Sequence, residues 1–99
     1  MININLQTKE ALNTDNGATC RILFDSGKAY TNIAGLIKLE AGIYAPNALR
    51  ELIKAWVRTK TNLDQLAPID VNGAWFYSVS GWDKVRKEAI AKQRITNLV

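Results

Sequence analysis

Histidine is absent from this 99-residue chain, cysteine occurs once and proline twice. Without histidine, the commonest general base at neutral pH and the commonest transition-metal ligand are both missing. A lone Cys20 cannot build a thiolate metal site or an internal disulfide. It also lacks the histidine that usually activates a cysteine nucleophile. Such cysteine usage fits a reducing, cytoplasmic setting. No apolar run approaches the ~20 residues of a membrane span, so no membrane partner is expected. The opening "MININLQTKE" has no basic flank before an apolar stretch, so no signal peptide is expected either. A Gly-rich phosphate loop is also lacking, because "DSGK" has neither the glycine spacing nor the strand-to-helix setting of a P-loop. The acids are scattered. Asp64 and Asp70 could face each other as a carboxylate pair, but both fall in loop or turn context, where solvation accounts for them. The expectation is a protein that is not an enzyme and holds no metal or cofactor.

What is present is an ordinary globular composition, 47% apolar and 22% charged. A chain of this size makes one small domain that buries roughly two thirds of its unfolded surface. The net charge is +4, from thirteen Lys and Arg against nine Asp and Glu. The distribution tells more than the total. Residues 50–60 hold four basic side chains and one acid, Glu51, and residues 84–94 hold five basic side chains and one acid, Glu88. Two helical segments therefore carry most of the positive field.

Along the chain, "ININ" alternates as a short edge strand, and "TKEALN" reads as one helical turn capped by Thr8. "NTDNG" is a turn by composition. "ATCRILFDSGKAYTN" reads as a hairpin with Cys20, Ile22 and Phe24 on one face and a three-residue "DSG" loop. "NIAGLIKLEAG" has two readings. As a helix it is capped by Asn32, ended by Gly42, and sets Ile33, Leu36 and Ile37 on one face. As a strand it opposes Ile37 and Leu39 to Leu36 and Lys38. The scarcity of β-branched residues favours the helix.

"LRELIKAWVRTK" is the clearest helix, expected from about 46 to 59 with Pro46 in its first turn. Leu49, Leu52, Ile53, Trp56 and Val57 make its apolar face, and Arg50, Lys54 and Arg58 repeat every fourth residue as a basic stripe beside it. "TNLDQLAP" reads as a polar connection. "PIDVNGAWFYSVS" is a hairpin over 69–79 turning on Asn72-Gly73. Trp75 and Tyr77 share one face of its return strand and Phe76 the other. One face packs inward, and the other is covered by a helix or exposed as a binding patch. A last basic helix is expected over about 81–95, with Ser80 as its cap and Asp83 three residues on. Tyr44 is expected to pack at the turn before the 46–59 helix.

"LIKLEAGIYAPNALREL" has the rhythm of a helix-turn-helix unit, with Ile37 and Ala41 packing from the first helix, Gly42 at the turn with Ile43 behind it, and Leu49 and Leu52 anchoring the second. That arrangement leaves Asn47, Arg50, Glu51, Lys54 and Arg58 exposed. Asn and Arg read adenine and guanine edges, and Lys and Arg neutralise phosphates. Over about residues 42–86 the order of motifs resembles the winged helix-turn-helix DNA-binding domain of phage excisionases and their MerR-like relatives. Trp56-Val57-Arg58 matches the end of their helix. Asn72-Gly73 matches the wing tip, and Trp75, Phe76 and Tyr77 match the aromatic return strand. The resemblance implies that Arg50, Lys54 and Arg58 lie on a groove-facing helix and that Asn72 approaches a minor groove or a phosphate.

The resulting expectation is a small single α+β domain over 1–99. Its parts are an N-terminal strand and hairpin (1–31), a helix-turn-helix-like helix pair, a second hairpin or wing, and a C-terminal helix (32–95). It would bind duplex DNA as an excisionase-like factor or small regulator through helix 46–59 and hairpin 69–79. The expected contact residues are Asn47, Arg50, Lys54, Arg58, Lys60, Asn72, Trp75, Lys84 and Lys87. Arg86 belongs to the same basic cluster as Lys84 and Lys87. A homodimer or array is expected, because one such module gives a small interface. A rival from another class is a small phage-type inhibitor or adaptor, of the anti-defence or anti-CRISPR-like kind, that docks on a protein or nucleoprotein complex. Its basic helices would occupy an acidic or nucleic-acid-binding groove, with the aromatics as anchors.

Overall fold

Asn32 starts the helix on which the rest of the chain is assembled. Its side-chain oxygen accepts the N–H of Gly35 at 2.9 Å, and Gly42 closes the helix with φ +73° and its N–H on the Lys38 carbonyl. The structure, a computed structural model, describes residues 1–42, 46–86 and 88. The helical reading of 32–42 therefore holds, as α1 (Ile33–Ala41).

Among the described residues, seven strands form two sheets around it. β1 (Ile2–Asn5), β2 (Glu10–Asn13) and β3 (Thr19–Arg21) make an antiparallel sheet in that order. The second sheet runs β4-β5-β7-β6, from β4 (Leu23–Asp25), β5 (Lys28–Thr31), β6 (Ile69–Val71) and β7 (Ala74–Ser78). Pairing of β5 with β7 joins the N-terminal half to the second hairpin (Tyr30↔Ser78, Thr31↔Tyr77). Helix α1 packs on β2 and β3 of one sheet and on β5 and β7 of the other. Its Leu36, Ile37 and Leu39 are buried with Ile2, Ala11, Cys20 and Ile22 from the N-terminal part, and with Ile53, Val57, Leu66, Tyr77, Val79 and Trp82 from the rest. This is the small α+β domain that the sequence suggested.

Helix α2 (Asn47–Val57) is one or two residues shorter at each end than expected, with Pro46 in the N-cap position rather than the first turn. It buries Ile53 and Val57, and Leu49 and Trp56 pack against the core. The C-terminal helix, α4, covers 79–86 and 88 among the described residues. Residue 87 and residues 89–95 of the segment expected to be helical, and Ile43 and Tyr44 of the expected turn, lie outside the described residues.

Four local expectations are corrected. "TKEALN" is not a helical turn. The Asn5 side chain accepts the N–H groups of Gln7 and Thr8 at 2.9 and 3.1 Å, Lys9 takes a positive φ, and Glu10–Asn13 returns as β2. The first hairpin turns on two residues, not three. Asp25 pairs with Lys28, and Ser26 and Gly27 both have positive φ, the pattern of a type I′ turn. The polar "TNLDQLAP" is mostly helix, α3 (Lys60–Leu66). Thr59 Oγ1 and Asn62 Nδ2 both donate to the Trp56 carbonyl, fixing the end of α2, and Asn62, Leu63 and Leu66 then turn inward. Finally, the cap of α4 is Ser78, not Ser80, since Ser78 Oγ accepts the N–H of Gly81 at 3.1 Å. Hairpin 69–79 accordingly ends at Ser78.

Candidate nucleic-acid interface

The basic stripe runs along α2, which lies between α1 and α3 in chain order and contacts both. α2 packs on α1 with its apolar side and on α3 at its C-terminal end. Asn47, Arg50 and Arg58 are exposed along it, and exposed Lys60 opens α3 directly after it. Lys54 is half-buried, and its ammonium lies 3.4 Å from Glu51, one turn back on the same helix. The Glu51 carboxylate thus offsets part of the positive charge at the middle of the stripe.

Lys38 is the residue that the motif reading missed. A cleft of about 470 Å³ lies between α1 and α2, lined by Ala34, Ile37, Lys38, Gly42 and Arg50. Lys38 is exposed on α1 and lines this cleft together with Arg50. The helical reading already put Lys38 off the Ile33–Leu36–Ile37 face, but only the packing of α1 on α2 brings it to the stripe.

The second hairpin turns where expected. Asn72 (φ +54°) and Gly73 (φ +86°) form the type I′ turn, braced by the Gly73 N–H on Asp70 Oδ1 at 2.8 Å. β5 pairs only with residues 77 and 78 of β7, so β6 and the first part of β7 run on past it. That overhang explains the aromatics. Tyr77, opposite Thr31, is buried. Trp75, on the same face two residues earlier, lies beyond the reach of β5 and is 56% exposed. Phe76 points to the other side, where it lines a concavity with Cys20, Ile22, Thr31 and Gly35. The cross-strand partner of Trp75 is Asp70, an acid. α3 packs on both α2 and β7, so a helix stands where the sequence suggested only a polar connection between the 46–59 helix and the second hairpin.

The basic cluster of the last helix divides. Lys84 is exposed. Arg86 is buried and faces inward, which removes it from any contact surface. Its guanidinium binds Glu40 through Nε and Nη2, and Asp15 through Nη1 at 3.0 Å. Trp82 Nε1 donates to the same Glu40 carboxylate at 2.8 Å. Burial acts to lower the Arg86 pKa, but the bonds to Glu40 and Asp15 outweigh it and hold the group above its ordinary value. Lys87 lies outside the described residues.

Cys20 is buried, as its strand face implied. Burial pushes its thiol pKa up, against a weaker opposing effect of the Thr31 hydroxyl at 3.8 Å. Asp70 is engaged in its own turn, while Asp64 is exposed on α3. Among the described residues no group of three His, Cys, Asp or Glu side chains could hold a metal ion, and no helix is long and apolar enough to cross a membrane. Neither a protein-family model nor a curated protein nor a solved structure matches this chain.

Proposed function

We propose that the protein is a non-enzymatic, DNA-binding module of the cytoplasm that engages duplex DNA through α2 and the adjoining start of α3. The supporting observation is the cleft at the α1–α2 junction, where Lys38 and Arg50 come from two helices, with exposed Arg58 and Lys60 continuing the positive surface at the far end of α2. Two packed helices, the first ended by Gly42 and the second with cations on its outer side, suit phosphate neutralisation and insertion into a major groove. The overhanging hairpin would lie at the flank, with Asn72 at its tip. The winged-helix likeness of residues 42–86 points the same way.

Binding to a labelled random duplex, followed by fluorescence anisotropy across a salt series, tests this. The affinity should fall linearly in a log–log plot, by about 0.9 decades per decade of salt for each phosphate neutralised. Replacing Lys38, Arg50, Arg58 and Lys60 by alanine should flatten that slope by about one for each of these cations that touches a phosphate. No binding even at low salt would remove the DNA reading, and binding unchanged in the fourfold variant would remove the surface.

One observation favours the rival. Trp75 is exposed beside Asp70 on a hairpin whose tip, "DVNGAW", carries no cation. An exposed aromatic next to an acid suits a protein partner better than a phosphate backbone. In that reading the protein is a small inhibitor or adaptor that docks on a nucleic-acid-handling complex with Trp75 as an anchor. DNA affinity that is absent in the wild type, together with Trp75-dependent binding to such a complex, is the outcome that would select it.

A further inference from the structure

Among the described residues, the two sheets leave four edge strands, β1, β3, β4 and β6. Exposed edges invite pairing with another chain, and proteins blunt them with charges or proline. β3 carries Arg21, β4 carries Asp25, and β6 carries Asp70 and follows Pro68. β1, "ININ", has none of these, and no charged side chain occurs from residue 2 to residue 8. Among the described residues, three of the five large apolar side chains that are exposed, Met1, Ile4 and Leu6, lie on or beside this strand.

The hydrogen-bond phase of the sheet shows what this edge presents. The Thr14 N–H donates to the Met1 carbonyl at 2.9 Å, so residues 1 and 14 are a hydrogen-bonded pair. The register then makes Asn3↔Leu12 and Asn5↔Glu10 the next such pairs, because they alternate along an antiparallel ladder. On the far side of β2, the Asn13 N–H on the Ala18 carbonyl has the complementary phase. The N–H and C=O groups of Ile2 and Ile4 therefore point away from β2, out of the open edge.

The geometry points to β1 as a self-pairing edge: two copies of the chain join antiparallel, β1 against β1, about a twofold axis at Ile4. "ININL" is close to a palindrome, and this register exploits it. Ile4 faces Ile4 of the second copy, Asn3 faces Asn5, and Ile2 faces Leu6. Cross-strand partners share a face, so apolar meets apolar and amide meets amide along the seam. Asn5 Oδ1 is taken up by the Gln7 and Thr8 N–H groups, which leaves its amide nitrogen to donate to Asn3 across the pair. Each chain carries +4, so copies repel over most of their surfaces, and the uncharged stretch 2–8 is where they can approach. The product is one continuous sheet of six strands with an isologous, self-closing interface. A single strand from each partner falls short of the ~1,200 Å² of a standard interface, so the dimer is weak and concentration-dependent. Pairing through β1 does not depend on DNA binding through α2.

Sedimentation of the protein alone, without DNA, from low micromolar to submillimolar concentration tests the pairing. The mass should rise from 11.0 kDa to a plateau at twice that value. Ile4→Pro removes an outward N–H and leaves the β1–β2 ladder intact, while Asn3→Lys adds the edge charge that β1 lacks. Both should remain monomeric throughout, with melting curves at low concentration confirming that they fold. Amide exchange on the wild type supplies a readout independent of the variants. The Ile4 amide should slow several-fold as concentration rises, while the amides of Asn3 and Asn5, already bonded to β2, should not change. A mass of one chain at every concentration, growth past two copies, a dimer that survives both variants, or an Ile4 amide indifferent to concentration would each overturn the proposal.

Discussion

Glu40 and Arg86 form a buried ion pair across 46 residues of chain, with side chains only 2% and 7% exposed. Glu40 stands at the end of α1 and Arg86 on α4, so the pair ties the last helix to the central one. Asn13 and Asn16 tie the turn that carries Asp15 to the same end of α1, both donating to the Leu39 carbonyl and Asn16 also to that of Glu40. Removing one partner of a buried pair strands the other charge. Arg86→Ala should therefore destabilise the fold by about 3–5 kcal/mol in urea unfolding. Arg86→Lys should recover only part of that, because one ammonium cannot reproduce the forked contacts to Glu40 and Asp15. A loss below about 1 kcal/mol for Arg86→Ala would mean that the junction is held by packing alone.

Asp15 is the exposed member of this cluster, and its titration should be visible in acid. The hydrogen bond from Arg86, followed by that from the Met1 amine, lowers its pKa below the ordinary 3.8. The folded state thus binds the proton less readily than the unfolded one. Its contribution to stability is complete above pH 3.8 and is lost as pH falls through the lower folded value. Asp15→Asn should flatten the stability profile in that acid window. The difference between variant and wild type should be constant from about pH 5 to 7 and shrink below the window, as read by urea midpoints across pH.

Gly81 should resist replacement although it lies inside a helix. A Cβ there would meet the Gln65 carbonyl oxygen at 2.3 Å and the Gln65 carbonyl carbon at 3.0 Å. Those are backbone atoms of α3 and cannot rotate away. Ala is about 1 kcal/mol better than Gly in a helix interior, but forcing α3 and α4 apart costs about 1–3 kcal/mol. Gly81→Ala should lower the thermal midpoint, whereas the helix-propensity difference alone would raise it.

How much of the fold was legible in the sequence follows from what each residue reports. The helices α1 and α2 and the Asn72-Gly73 hairpin were readable because their signals are local: an Asn cap, a Gly stop, an apolar period and a turn that needs two positive φ values. α3 was hidden because only Asn62, Leu63 and Leu66 face inward, and their polar neighbours resemble a loop. β2 was misjudged because the Asx turn at Asn5 reverses the chain just before it. At the candidate interface, Asn47, Arg50, Arg58, Lys60, Asn72, Trp75 and Lys84 are set by solvent-facing periods and turn positions, and all of them are exposed. Two facts lay beyond any local signal. Lys38 joins Arg50 only through the packing of α1 on α2, and Arg86, one cation among several in sequence, is drawn inside by Glu40 and Asp15, 46 and 71 residues away. Pairings at that separation leave no periodic trace.

Trp75 offers a direct optical test of the overhanging hairpin. Of the three tryptophans, Trp82 is fully buried, Trp56 is half-buried against the core, and Trp75 is 56% exposed past the end of β5. Iodide should therefore quench Trp75 far more than the other two. Trp75→Phe should abolish most of the quenchable emission and leave stability within about 0.5 kcal/mol, because little is buried at that position. A large loss of stability would mean that the ring is covered, with the hairpin folded back on the domain. The same position separates the two functional readings. A salt-dependent DNA complex resting on Lys38, Arg50, Arg58 and Lys60 should survive Trp75→Ala with affinity reduced several-fold at most. A protein complex anchored by the indole should weaken by about 2 kcal/mol or more, which is roughly thirtyfold in affinity.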